Sequence, residues 1–123
     1  MTGSMDERKA PELAAHWIAA WNSHDLDRIM AHYADDVVLT SPVAARILND
    51  PSGTVRGKTA LREYFARGLA FYPDLKFELL DTMWGLNSLV LCYRNQNGAR
   101  TGEYMEIGAA GGISRVVANY AGL

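Results

Sequence analysis

Only one cysteine, Cys92, occurs in 123 residues. A single thiol excludes an internal disulfide framework and a cysteine-built zinc site, and it fits a reduced, cytoplasmic setting. An excess of either charge is also missing. Lys plus Arg number 12 against 14 for Asp plus Glu, a net charge of −2. Without a basic surplus or a Lys/Arg tract mixed with aromatics, nucleic acid is not an expected partner. No apolar run approaches the ~20 residues that span a bilayer, so no membrane association is expected. The first residues, Met1-Thr2-Gly3-Ser4-Met5-Asp6-Glu7-Arg8-Lys9, have no apolar stretch and do not read as a signal peptide.

What remains is ordinary globular composition, 49% apolar and 21% charged. It reads as a polar, flexible segment over residues 1–10 and a single domain over 11–123. Pro11 suits the first turn of a helix, and Leu13, Trp17 and Trp21 recur every four residues beside Ala14 and Ile18 to make one apolar stripe. Asn22-Ser23-His24 breaks it. Asp25 is placed to cap a second helix whose apolar face is Leu26, Ile29, Met30 and Tyr33. Asp35-Asp36 is expected to end that helix before a first strand at Val37-Val38-Leu39. Turn chemistry at Asn49-Asp50-Pro51-Ser52-Gly53 suggests short strands on either side, over 44–48 and 54–56. Thr59 is expected to cap a third helix with Leu61, Tyr64, Phe65 and Leu69 inward, stopped by Pro73. The period then changes to that of strands, over 75–84, 89–95, 99–107 and 113–120, with Asn97-Gly98 as a hairpin turn. Helices first and an antiparallel meander afterwards make the class α+β.

Several segments together resemble the SnoaL-like branch of the nuclear transport factor 2-like superfamily. They are Trp21-Asn22, His24-Asp25-Leu26, Tyr33-Ala34-Asp35-Asp36-Val37-Val38, Thr54-Val55-Arg56-Gly57, Leu61-Arg62-Glu63-Tyr64-Phe65 and Tyr72-Pro73-Asp74-Leu75-Lys76-Phe77. The resemblance implies a cone-shaped, cystatin-like α+β barrel, in which a bent mixed or antiparallel sheet wraps three helices and leaves an apolar pocket at its open end. Polyketide cyclases, ketosteroid isomerase, limonene epoxide hydrolase, dehydratases and non-catalytic binding domains share this cone, and fold does not choose among them. The Tyr-Ala-Asp-Asp segment of ketosteroid isomerase lies over residues 33–36. Its catalytic aspartate then falls on Ser41, its oxyanion tyrosine on Trp17, and its late-strand aspartate on Glu103 or Ile107. Tyr33 matches a tyrosine of the isomerase network, and Phe65 stands where a second one does. Serine cannot take a proton from carbon at neutral pH, so chemistry of that kind is not expected.

The same resemblance turns Val90, Cys92 and Arg94 inward on one strand. It turns Thr101, Glu103, Met105 and Ile107 inward on the next, and Ser114, Val116, Ala118 and Tyr120 on the last. With Asn97-Gly98 as a two-residue turn, Arg94 and Glu103 are diagonal neighbours. They are the expected catalytic couple, Glu103 as acid or base and Arg94 tuning it or holding a substrate oxygen; the competing reading is a structural ion pair near the rim, or a strand parity one residue out that leaves both groups in water. The expected pocket is Trp17, Tyr33, Ser41, Tyr64, Phe65, Val90, Cys92, Met105, Val116 and Tyr120. His16, His24 and His32 lack the i, i+3 or i, i+4 spacing of helical ligands, so no metal is expected, nor any cofactor.

The functional expectation is a pocket for a small apolar ligand. If the protein is an enzyme, isomerisation, cyclisation, dehydration or hydrolysis without a cofactor is expected; the alternative is a non-catalytic ligand-binding or dimerisation domain. An enzyme requires a dry cavity with a carboxylate or histidine of raised pKa, whereas a binding domain requires a filled or wholly apolar one. The resemblance also implies a homodimer through the outer sheet face, where Lys76, Glu78, Leu80, Thr82 and Trp84 are expected to point.

Overall fold

The computed structural model describes residues 4–122. Among them the elements run α1 (Lys9–Ser23), α2 (Leu26–Met30), β1 (Tyr33–Thr40), α3 (Pro42–Ile47), β2 (Thr54–Arg56), α4 (Lys58–Phe71), β3 (Glu78–Trp84), β4 (Ser88–Arg94), β5 (Arg100–Ile107) and β6 (Ile113–Tyr120). The strands form one mixed, six-stranded sheet in the order β2-β1-β6-β5-β4-β3. β1 runs parallel to β6 and every other pair is antiparallel. The sheet is not closed, and β2 and β3 are its edges. No described helix is long and apolar enough to cross a membrane.

Local chemistry explains the element ends. The Asp6 carboxylate accepts the N–H groups of Arg8 and Lys9, so α1 starts two residues before Pro11. α1 ends on His24, left-handed at φ 59°, whose Nε2 lies 2.7 Å from the Leu75 carbonyl. Asp25 caps α2 by accepting from Asp27 and Arg28. That helix stops at Met30, earlier than expected, and Tyr33, Asp35 and Asp36 already lie in β1. The expected strand over 44–48 is instead helix α3. Ser41 caps it through Val43 N–H, and Pro42 takes the first helical position, where no N–H is needed.

The β4–β5 connection departs from expectation in a way that matters for the site. It is not a two-residue turn. Asn95 N–H donates to the Ala99 carbonyl, and Gly98 N–H donates to the Asn95 carbonyl. The Asn95 side-chain oxygen accepts from both Asn97 and Ala99 N–H. The loop is therefore residues 96–98, with Gly98 left-handed at φ 80°, the three-residue hairpin that ends in a glycine bulge. One extra loop residue moves the register by one and exchanges the two faces of the strand. Arg94 pairs with Arg100, Cys92 with Gly102, and Leu91 with Glu103. Val90, Cys92 and Arg94 accordingly point outward, and Leu89, Leu91 and Tyr93 point in. β5 keeps its expected face, with Thr101, Glu103, Met105 and Ile107 all buried.

A bulge between Leu79 and Asp81 likewise resets β3. Beyond it Thr82 and Trp84 pair with the inward Leu91 and Leu89, while Met83 pairs with the outward Val90. The expected outward run of Leu80, Thr82 and Trp84 is thus interrupted.

The inner face of the sheet packs on α1 and α4, and α2 packs against those two helices. Ile29, Leu61, Leu89, Leu91, Met105, Ile113 and Val116 are almost wholly buried there. These apolar side chains fill one end of the sheet. At the other end β1, β4 and β6 finish, β5 begins, and the interior opens.

Candidate active site

Aromatic rings build the walls of that opening. Trp17 and Trp21 come from successive turns of α1, and Phe65 meets Trp21 edge-on at 4.7 Å between centroids. Phe77 stacks on Trp17 at 5.9 Å and lies 4.3 Å from Tyr93. The cavity holds about 130 Å³. Leu39 and Ser41 at the end of β1, Tyr64 of α4, and Ala118 and Tyr120 of β6 complete its sides. At the mouth stand Arg46 of α3 and the hairpin residues Asn95, Gln96 and Asn97.

One carboxyl group enters this apolar space. Glu103 is only 7% exposed, and its Oε1 accepts the Tyr93 hydroxyl at 3.2 Å. The two side chains meet because Tyr93 pairs with Thr101 and lies diagonal to Glu103 on the same face. Burial disfavours the charged carboxylate and pushes its pKa up to about 7, against the opposing pull of the Tyr93 hydrogen bond. A carboxyl group whose pKa is raised toward neutrality can serve either direction of proton transfer. The hydroxyls around it remain protonated donors. Burial raises the pKa of Tyr93, Tyr64 and Tyr120, and the Glu103 charge adds to each. The Ser41 and Tyr120 hydroxyls are 3.5 Å apart, and Tyr120 pairs with Thr101 on the strand beside Glu103.

Polar side-chain atoms without partners concentrate here as well. Among the described residues, Trp21 Nε1, Gln96 Oε1 and Thr101 Oγ1 are buried with no hydrogen-bond partner, and all three residues line the cavity. An unmet buried polar group costs about 1–3 kcal/mol. A guest oxygen would satisfy the Trp21 donor, whereas Gln96 Oε1 needs a guest N–H or O–H.

Of the residues expected in the pocket, Trp17, Ser41, Tyr64, Phe65 and Tyr120 line it. Tyr33 lies behind the wall, where its hydroxyl accepts Trp17 Nε1–H at 2.9 Å. Met105 and Val116 are packed beneath it, fully buried. Val90, Cys92 and Arg94 are on the other side of the sheet because of the longer hairpin loop. Arg94 has a half-exposed side chain and lies 3.6 Å from Glu78, so it does not touch Glu103. The expected couple is replaced by Tyr93–Glu103. Trp21, Phe77, Tyr93 and Arg46 were not foreseen as pocket residues, whereas Thr101, expected on the inward face of β5, does line it. Asn95, whose side chain closes the longer loop, was the signal for Tyr93. Of the histidines, His16 is exposed, and His32 is half-buried with its pKa lowered by burial and then by the charges of His16 and Arg28.

The SnoaL-like domain model matches residues 14–117. The chain belongs to the SnoaL-like family. A SnoaL-like protein of unknown function from Burkholderia thailandensis is 36% identical, with a TM-score of 0.92 over 97% of this chain and 99% of the other. The epoxide hydrolase/cyclase-like enzyme SalBIII, which acts in pyran ring formation in the polyether salinomycin, is 19% identical. Its TM-score is 0.72, over 94% of this chain and 93% of its own. A cystatin-fold protein from Novosphingobium aromaticivorans is 18% identical, with a TM-score of 0.69 over 88% and 95%. The last two likenesses speak for the fold alone. No curated protein matches the chain.

Proposed function

We propose that this SnoaL-like protein is a proton-transfer enzyme that needs no cofactor and acts on a small, mainly apolar organic molecule bearing oxygen. The observation that carries the reading is Glu103, one buried carboxyl group inside an aromatic cavity, paired with a tyrosine and not with a cation. Isomerisation, cyclisation and dehydration share one need. A base must take a proton from carbon or hydroxyl, and an acid must return one to carbon or oxygen. In this reading Glu103 does both in turn. Tyr93 orients its carboxyl, and the hydroxyls of Tyr64, Tyr120 and Ser41 face the charge that develops on the substrate oxygen. Exclusion of water strengthens each of these interactions.

The test uses 5-nitrobenzisoxazole, an apolar bicycle whose ring C–H proton is taken by a base as the N–O bond breaks, leaving a coloured cyanophenolate. Wild-type protein should accelerate this elimination with a rate that rises with pH through about 7. Glu103→Gln should lower it by about 100-fold or more. Equal rates in the two proteins, or no acceleration by wild type, would leave a non-catalytic pocket.

Two further features belong to this reading. A cytoplasmic setting is supported by the lone Cys92. A homodimer through the outer sheet face is supported by a cross-strand row of Met83, Val90, Tyr104 and Val117 on that face. A monomeric mass in multi-angle scattering would refute the dimer.

A further inference from the structure

We propose that the guest of this cavity is an organic acid, with its apolar body among the aromatic rings and its carboxylate at the mouth against Arg46. The proposal rests on the reading of the cavity as a substrate site and adds the class of substrate. Charge is distributed very unevenly along the cavity wall. Among the described residues, Glu103 is its one acidic lining residue and Arg46 its one basic lining residue. Glu103 is buried at the inner end of the opening and Arg46 is exposed at the outer end.

The backbone that carries Arg46 is fixed, and its side chain is not committed to a counter-ion among the described residues. Ser41 caps α3, and Asp50 N–H donates to the Ala45 carbonyl beside it. The ion pairs formed among the described residues, Arg8–Glu12, Arg62–Asp27 and Arg94–Glu78, leave Arg46 without a carboxylate. A planar guanidinium at the rim of a low-dielectric cavity recognises a carboxylate in two-point geometry. Gln96 adds the second group. Its terminal amide is buried at the oxygen and unpartnered. Rotated by 180° about its last side-chain bond, the same amide offers an N–H to the guest carboxylate. An acid anchored this way also enters in one direction, with its apolar end toward Glu103.

The experiment is calorimetry at pH 7.5 and low salt with 1-naphthylacetate and its methyl ester, using wild type, Arg46→Met and Glu103→Gln. The acid should bind wild type about tenfold more tightly than the ester, the usual worth of a charge-assisted hydrogen bond. That preference should vanish in Arg46→Met and persist in Glu103→Gln. Equal binding of acid and ester to wild type overturns the proposal, as does a preference that survives Arg46→Met. A preference lost only in Glu103→Gln overturns it too, by moving the carboxylate to the inner end. If neither probe binds, the proposal also falls. Failure here is separable from failure of the proton-transfer reading. Acid preference without Glu103-dependent elimination keeps the first and sinks the second, and the opposite pair of results does the reverse.

Discussion

Replacing Glu103 with Gln should change how stability depends on pH, by an amount that follows from burial. The Glu103 carboxyl titrates near 4.5 when exposed and at about 7 in the fold. Because the folded state binds this proton more tightly than the unfolded chain, the contribution is fully present below pH 4.5. It is lost as pH rises through the window from 4.5 to about 7, and the loss is constant above that. At about 1.4 kcal/mol per pH unit, the difference between the two values corresponds to about 3 kcal/mol. For a domain of this size, that is about 10 °C in Tm. Glutamine keeps the acceptor for Tyr93 but cannot ionise. Exchanging the carboxyl for an amide adds at most a pH-independent penalty of about 1–3 kcal/mol for its N–H group. The quantity to measure is therefore the wild-type minus variant difference, by urea denaturation followed through tryptophan emission, from pH 4.5 to 8.5. Other titrating groups, including His32, are common to both proteins and cancel. Wild type should lose about 3 kcal/mol relative to the variant across that range. A difference flat to within about 0.5 kcal/mol would show that Glu103 ionises as if solvated, and the acid–base reading would lose its basis.

Tyr93→Phe removes the one hydrogen bond that favours ionised Glu103. The midpoint of the benzisoxazole pH–rate profile should therefore move up, by about one pH unit at most; a downward or absent shift would contradict the pairing. Asn95→Ala deletes the acceptor of two N–H groups in the β4–β5 loop, which should lower the unfolding free energy in urea by about 1–2 kcal/mol. No loss would mean that water satisfies those groups equally well. Gly53 sits at φ 57°, and a Cβ there would fall 2.6 Å from the Ser41 carbonyl oxygen, a backbone atom that cannot step aside. Gly53→Ala should cost more than about 2 kcal/mol and weaken binding of naphthylacetate through Ser41; an unchanged midpoint in urea would refute the contact.

The α+β class, α1 with its Trp17–Trp21 stripe and the Asp25 cap were legible because each follows from local periodicity or capping, whereas the buried face of β5 was legible only through the family resemblance. α3 was also written in the chain, as Ser41 at the cap and Pro42 at the first helical position. The turn-rich segment from Asn49 to Gly53 nonetheless favoured a hairpin reading over a single helical turn and a half. The outward turn of Val90, Cys92 and Arg94 was not legible. It depends on whether Asn97-Gly98 makes a two-residue turn or Asn95 closes a three-residue one. Both readings use the same glycine, and only a side-chain hydrogen bond separates them.

That one-residue choice decides the chemistry of the site. With the shorter loop, Arg94 would lie diagonal to Glu103 on the inner face. A guanidinium beside a carboxylate stabilises its charged form and holds its pKa below the ordinary range, leaving a spectator ion pair with no proton to give at neutral pH. The longer loop brings Tyr93 to the same place. A neutral hydroxyl can accompany the carboxyl group through either protonation state, so desolvation dominates and the proton stays exchangeable near pH 7. Removing one residue from the 96–98 loop, for example by deleting Gln96, should therefore do more than destabilise the hairpin. If β4 re-registers, Arg94 turns inward, and the titration attributed to Glu103 should move below its exposed value of 4.5. Carbon-13 shifts of the Glu103 carboxyl would read it directly. A folded deletion variant that still titrates near 7 would show that burial alone, whatever the partner, sets this group.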